Sequence, residues 1–161
     1  MFNADENGVY ARVQASSARR FFAYGVLFSL GALLIYAPLA KPPALPWLVF
    51  MLGFGGLVLW LAEQLRRGTR VSIELTETEV RDSTGRVLAR LDDVRSVERG
   101  ALAMKPSNGF TLVLKSKKPR AWAPGLWWRL GNRVGVGGVT SAGEAKFMAE
   151  QIAFRIATRD D

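Results

Sequence analysis

The chain has 161 residues, of which 49% are hydrophobic, and Lys and Arg outnumber Asp and Glu by 22 to 14. It contains no Cys and no His, which excludes thiolate nucleophiles, imidazole acid–base catalysis, disulfide scaffolds and the common zinc sites. A chain of this length accommodates one ordinary domain, or a small domain joined to a membrane anchor.

Residues 1–20 precede the first apolar segment and are predicted to form an N-terminal tail. Their polar composition is typical of a flexible cytoplasmic segment. Whether the tail is ordered stays open, because Val9 and Tyr10 could dock on another part of the chain.

Two uncharged segments follow, one of 20 residues from Phe21 to Ala40 and one of 21 residues from Pro42 to Ala62. At a rise of about 1.5 Å per residue, each helix would cover roughly the 30 Å hydrocarbon core of a bilayer. Core helices of so small a protein would be shorter and would have a polar side. A cleaved signal peptide is disfavoured because the first segment exceeds the usual length. We therefore predict a two-helix transmembrane hairpin over residues 21–62, with spans at about 21–40 and 43–62.

The positive charges that flank the hairpin are concentrated on one side. Three Arg precede the first span and three follow the second, whereas Lys41 stands alone in the Pro-rich turn. The positive-inside rule then places both termini in the cytoplasm, and we expect a multi-pass membrane protein. The six flanking residues are Arg12, Arg19, Arg20, Arg66, Arg67 and Arg70.

Small residues recur at helical spacing in both spans. Gly25, Ser29 and Ala32 form one predicted packing face, and Gly53 and Gly56 form the other. These faces would hold the hairpin together, or would contact a partner protein. The spans lack acidic, basic and amide side chains, which disfavours a transporter or channel.

Residues 71–161 are predicted to form a small β-rich domain, because the apolar period changes from helical to two. Ser141 and Glu144 have the spacing of a capping box and predict a final helix over about 142–157. The predicted strands are residues 71–75, 87–91, 94–98, 110–114 and 133–137.

Three parts of this region carry a resemblance: LTETEVRDSTGRVLARLDDVRSVE, FTLVLKS and RVGVGGVTSAGEAKFMAEQIA. Together with the preceding hairpin, the region resembles the bacterial pleckstrin-homology-like (PH-like) domains that follow a two-span membrane hairpin. The resemblance implies an all-β barrel capped by the last helix, and a binding module without catalytic residues.

Most of the net positive charge lies in residues 115–133, KSKKPRAWAPGLWWRLGNR, which hold six cations and no acid. Cations beside Trp residues are typical of contacts with an anionic membrane surface. Packing of the Trp residues in the barrel is the alternative. Adjacent Trp residues on a strand face opposite sides, so at most one of Trp127 and Trp128 should be core. The predicted anionic-lipid or partner contacts are Arg66, Arg67, Lys115, Lys117, Lys118, Arg120, Trp122, Trp127, Trp128, Arg129 and Arg133.

No other pattern predicts a site. The Gly residues of 131–138 match no phosphate-binding loop, and Asp92 and Asp93 are expected to form a turn rather than a metal site. We therefore expect no enzyme activity, no cofactor, no metal and no nucleic acid.

The leading hypothesis is an accessory or assembly subunit of a membrane complex, bound to a membrane-protein partner or to a second copy of itself. A stand-alone sensor of anionic lipid is the second hypothesis. A membrane enzyme without His or Cys is the last.

Overall fold

The computed structural model describes residues 3–99 and 107–160. In chain order its elements are β1 (Ala11–Val13), α1 (Ser17–Ala40), α2 (Leu45–Gly68), β2 (Ile73–Leu75), β3 (Glu79–Asp82), β4 (Val87–Arg90), a 3-10 turn (Leu91–Asp93), β5 (Val94–Glu98), β6 (Phe110–Ala123), β7 (Trp127–Val136) and α3 (Ala142–Asp160).

The chain forms two compact units. The helical unit is Ser17–Arg67, and the β unit contains the residues up to Ser16 together with those from Gly68 onward. The predicted boundary at residue 71 therefore leaves out part of the β unit, because the residues before α1 belong to it.

The helical unit consists of α1 and α2, which have 24 residues each and are long and apolar enough to cross a membrane. Only 11% and 17% of the residues in their most apolar stretches are buried. A core helix of a water-soluble protein buries its apolar side against the rest of the molecule. These two helices instead leave most of their apolar surface uncovered by the chain itself.

The two helices approach each other at Gly31 and Gly55. A Cβ at Gly55 would lie 2.8 Å from Cγ1 of Ile35, and a Cβ at Gly31 would lie 2.8 Å from the side chain of Leu59. Glycine permits this contact because it has no side chain to hold the backbones apart.

The predicted packing faces are therefore not the ones at the crossing. Gly25, Gly53 and Gly56 have open space where a Cβ would be, and Ser29 and Ala32 are exposed. Helical spacing identifies a face of small residues. It does not tell which of several faces turns toward the other helix, since that depends on the packing of both.

The β unit has two antiparallel sheets. One has four strands in the order β1-β2-β3-β4, and the other has three in the order β5-β6-β7. In the first sheet Val13 of β1 is paired with Ile73 of β2. The strand before the helices and the strand after them are thus neighbours in one sheet. The sequence left open whether the N-terminal tail is ordered, and its residues Ala11–Val13 are ordered as β1.

One hydrophobic core joins both sheets and α3. Side chains alternate along the strands, so that Ile73 and Leu75 of β2 and Leu112 of β6 are fully buried. One apolar stripe of α3, with residues three or four positions apart, lies in the same core. Its residues Ala145, Met148, Ile152 and Ile156 are all buried.

The start of α3 is attached to the N-terminal segment. The Glu144 carboxylate accepts a hydrogen bond of 2.8 Å from the backbone N–H of Gln14, and the Ser141 N–H donates to the Gln14 carbonyl at 3.1 Å. The Ser141–Glu144 pair thus marks the helix start as predicted, but Glu144 binds a residue 130 positions away rather than the N–H of Ser141.

Candidate functional site

The basic stretch forms the β6–β7 hairpin. Trp122 of β6 is paired with Trp128 of β7, and Ala121 is paired with Arg129. Residues two apart on a strand share a face, so Arg120 and Trp122 of β6 lie on the same face as Trp128 and Leu130 of β7. We call these four residues the Trp122 surface.

The three Trp residues of the hairpin have different environments. Trp127 is 1% exposed and belongs to the core, whereas Trp122 is 55% exposed. Trp128 is half-buried and packs on Gly135, where any side chain would collide with the indole ring. The prediction that at most one of Trp127 and Trp128 is core is confirmed, because neighbouring residues of β7 face opposite sides.

Three of the predicted contact cations bind groups of the protein itself. Lys118 pairs with Asp93 at 3.4 Å and Arg133 with Glu98 at 2.8 Å. Arg129 donates to the carbonyl oxygens of Pro119, Val87 and Leu88 at 2.9, 3.1 and 3.2 Å, and thereby links β7 to β4. These side chains hold the β unit together rather than presenting free charge.

Asp93 anchors the bend in β6 where the register shifts. Its carboxylate accepts from the Ser116 N–H at 3.1 Å and from the Ser116 hydroxyl at 2.8 Å. Partial burial would raise the pKa of Asp93, but hydrogen bonds from Ser116 and Lys118 and the Lys118 charge outweigh it and hold this pKa below its usual value. Asp93 therefore has a structural role.

The two Arg residues at the end of α2 share one acid. Arg66 and Arg67 each place Nε 2.7 Å from a carboxylate oxygen of Glu63. Two predicted lipid or partner contacts therefore lie in an ion-paired cluster. Its net charge is one unit smaller than that of the two Arg residues alone, because Glu63 is part of it.

Three cations of the hairpin remain for an external contact. Lys115, Lys117 and Arg120 are exposed and make no ion pair or side-chain hydrogen bond with any residue described by the structure. Of the three, Arg120 lines a shallow groove of about 510 Å³, together with Trp122 and Leu130.

Leu130 is the residue of this surface that the sequence did not single out. It is 55% exposed, as is Trp122, although a Leu in the second strand of a hairpin is usually core. The alternation that buries Trp127 could have indicated it, because Leu130 lies three positions further along and so faces the opposite side.

The Trp122 surface offers a contact for another molecule. It offers two exposed apolar side chains and unpaired cations, which suit an anionic or amphipathic partner. Among residues 3–99 and 107–160, no group of three acidic side chains lies close enough to hold a metal ion.

No protein-family model, no curated protein and no solved structure matches this chain.

Proposed function

We propose that this chain is a non-enzymatic integral protein of a bacterial inner membrane, whose cytoplasmic PH-like domain binds a membrane-protein partner through the Trp122 surface. The observation that carries the proposal is the exposure of Trp122 and Leu130 beside the unpaired cation Arg120, on a unit whose chain continues into two uncovered apolar helices.

The strand order supports a hairpin that crosses the membrane twice. Val13 and Ile73 are partners in one sheet, and three residues separate β1 from α1 while four separate α2 from β2. The chain must therefore leave and return on the same side of any membrane that the helices enter. The distribution of Lys and Arg favours the cytoplasmic side.

Cysteine labelling tests this topology directly, because the natural chain has no Cys. We expect a membrane-impermeant maleimide to label Pro42→Cys in intact spheroplasts and to label Ser96→Cys, on β5, only after lysis. Labelling of both residues in intact spheroplasts would refute the proposed location. Recovery of the protein in the soluble fraction without detergent would also refute it.

We propose the PH-like assignment from the resemblance, and the arrangement of the β unit is compatible with it. The resemblance implies a β-barrel capped by the last helix, and the described residues form two sheets with α3 in a shared core. A crystal structure of the full chain in which α3 did not pack on both sheets would refute this assignment.

A membrane-protein partner is favoured by features of both units. The small-residue faces at Gly25 and Gly53 are exposed, which leaves room for close approach of a further span. On the Trp122 surface, the exposed Trp122 side chain would become buried against the partner. Trp is enriched among the residues that contribute most to the binding free energy of protein interfaces.

Purification of the tagged full-length chain from its native membrane in mild detergent tests this hypothesis. We expect a stoichiometric partner that is lost with Trp122→Ala and retained with Phe154→Ala, which removes an exposed aromatic ring on α3. Recovery of the unmodified chain alone under all solubilisation conditions would contradict the proposal.

Contact with the anionic leaflet itself is the second candidate, and the unpaired cations favour it. Each Lys or Arg near such a surface contributes about 1 kcal/mol, and the attraction is screened by salt.

Nanodiscs that contain phosphatidylglycerol test this contact. At low salt the Trp emission maximum of the chain should shift to the blue, because Trp122 enters the interface. The shift should be lost in Lys117→Glu/Arg120→Glu. Arg95→Glu, an exposed cation on β5, is the matched control. An emission spectrum that is the same in phosphatidylcholine nanodiscs would exclude the lipid contact.

A further inference from the structure

A second cavity lies in the β unit, at the end of the first sheet where β2 is followed by β3. It has a volume of about 470 Å³ and collects residues from the segment before β1, the β2–β3 turn, the end of β4 with the 3-10 turn, and the last turns of α3. This volume falls in the range of small-molecule sites. No part of the basic hairpin lines it.

Two of the three Arg side chains that line this cavity donate hydrogen bonds to backbone carbonyl groups. Arg155 donates to the Thr76 carbonyl at 2.9 Å, and its guanidinium lies 3.9 Å from the centre of the Tyr10 ring. Arg159 donates to the Leu91 carbonyl at 2.7 Å. A guanidinium fixed in this way loses little further freedom when it binds an anion.

The remaining lining combines charge with an apolar floor. Arg90 lies 3.5 Å from Asp92, and Glu77 adds a second carboxylate, so the three Arg residues exceed the acids by one charge. Leu91 and Ile156 are buried beneath the cavity. The excess of one positive charge and the apolar floor together suit a ligand with one anionic group and an apolar part.

We propose that this cavity binds a small, soluble organic anion, whose phosphate or carboxylate group contacts Arg155 and Arg90 and whose apolar part rests on Leu91 and Ile156. Planar guanidinium groups bind such oxygen anions with two parallel hydrogen bonds.

A soluble anion and a lipid headgroup share this chemistry, and the place of the cavity within the β unit favours the soluble anion. Tyr10 precedes β1 and Thr78 follows β2, whereas the chain continues into the helices at the opposite ends of these two strands. That the ligand is soluble rests on the proposed membrane location of the helices, but the anion chemistry of the cavity does not.

Calorimetric titration of the full-length protein in an uncharged detergent tests the proposal, with phenyl phosphate and inorganic phosphate as probes. Phenyl phosphate should bind more tightly, because its ring covers the apolar floor. Arg155→Gln should weaken its binding about tenfold, the scale of one lost charged hydrogen bond. Arg90→Gln should weaken it less, and Arg95→Gln, which lies outside the cavity, should leave it unchanged.

Arg90→Gln guards against a folding defect, because Arg90 is exposed and pairs with its near neighbour Asp92, whereas Arg155 connects α3 to the β2–β3 turn. The proposal fails if neither probe binds, if Arg155→Gln and Arg90→Gln bind like the unmodified protein, or if Arg95→Gln weakens binding as much as Arg90→Gln.

A lipid source has its own arm of the experiment. In phosphatidylcholine nanodiscs, addition of phosphatidic acid to the bilayer should leave phenyl phosphate binding unchanged. Loss of that binding would identify a lipid headgroup as the occupant and overturn the soluble ligand. None of these measurements depends on the Trp122 surface, so the proposed partner function can fail while this cavity stands.

Discussion

In the β unit, Phe110, Leu112 and Leu114 lie along one face of β6 with almost no exposed surface. In the helical unit, Phe22, Leu33 and Trp47 are 75%, 61% and 62% exposed. The first set is covered by the other sheet strands and α3, whereas the second set has no such cover within the described chain. Apolar composition alone therefore does not define a core. Apolar and polar residues alternate along a covered strand, whereas the uncovered stretches of α1 and α2 have no polar side and are apolar enough to cross a membrane.

The largest expected effect tests the core of the β unit. Phe110→Ala should lower the free energy of unfolding by about 3–5 kcal/mol, because it leaves a cavity among buried side chains. Phe154→Ala, at an exposed site on α3, should change it by less than about 0.5 kcal/mol. Urea unfolding of the detergent-solubilised chain, followed by Trp fluorescence, measures both. Equal losses would show that the burial contrast is wrong.

A charge on an exposed helix residue tests what surrounds the helices. Leu33→Asp should lower the membrane-integrated fraction, since an acid near the centre of a span costs about 2.5–3.5 kcal/mol on the insertion scale. The same change at exposed Phe154 should have no such effect. The measurement is the fraction resistant to carbonate extraction. If Leu33→Asp stays fully integrated, lipid does not cover this residue.

The helix crossing offers a test of intermediate size. Gly55→Ala would place a methyl group 2.8 Å from Cγ1 of Ile35 and 3.1 Å from Cβ of Leu34, which should cost about 1–3 kcal/mol through overpacking. Gly53→Ala meets open space and should be neutral or slightly stabilising, because Ala favours helices over Gly. Unfolding by increasing dodecyl sulfate in mixed micelles ranks the two variants. The reverse ranking would restore the faces predicted from small-residue spacing.

The smallest effect concerns pH and the anchor of β6. Asp93→Asn should destabilise the β unit by about 1 kcal/mol near neutral pH, whereas Asp92→Asn, at an exposed site, should change little. Because the folded-state pKa of Asp93 is lowered, its carboxylate stabilises the fold above the usual pKa of an Asp side chain. This contribution is lost as the pH falls through the folded-state pKa. Urea midpoints measured from pH 7 to pH 3 should therefore converge for Asp93→Asn and the unmodified chain.

Long or strongly patterned elements could be predicted from the sequence. The strand predicted at 94–98 has the bounds of β5, and the helix predicted at 142–157 begins at Ala142 as α3 does. The sequence does not predict β1 or β3, because β1 lies in a polar segment before the helices and β3 contains a single apolar residue, Val80. Their strand identity comes from pairing with β2, which is a tertiary effect.

The candidate site was predicted in outline and not in detail. Charge counting located residues 115–133, but most of the acids and carbonyl groups that bind Lys118, Arg129 and Arg133 lie outside this stretch. Only three-dimensional contacts separate these cations from Lys117 and Arg120. The cavity beside Arg155 could not be predicted at all, because its lining comes from four distant segments.

The pairing of β1 with β2 has a consequence for biosynthesis. The ribosome releases β1 well before β2, with both apolar helices in between, so the first strand cannot pair until the whole helical unit has been synthesised. An N-terminal truncation that treats these residues as a dispensable leader would leave β2 with an open edge, which invites aggregation.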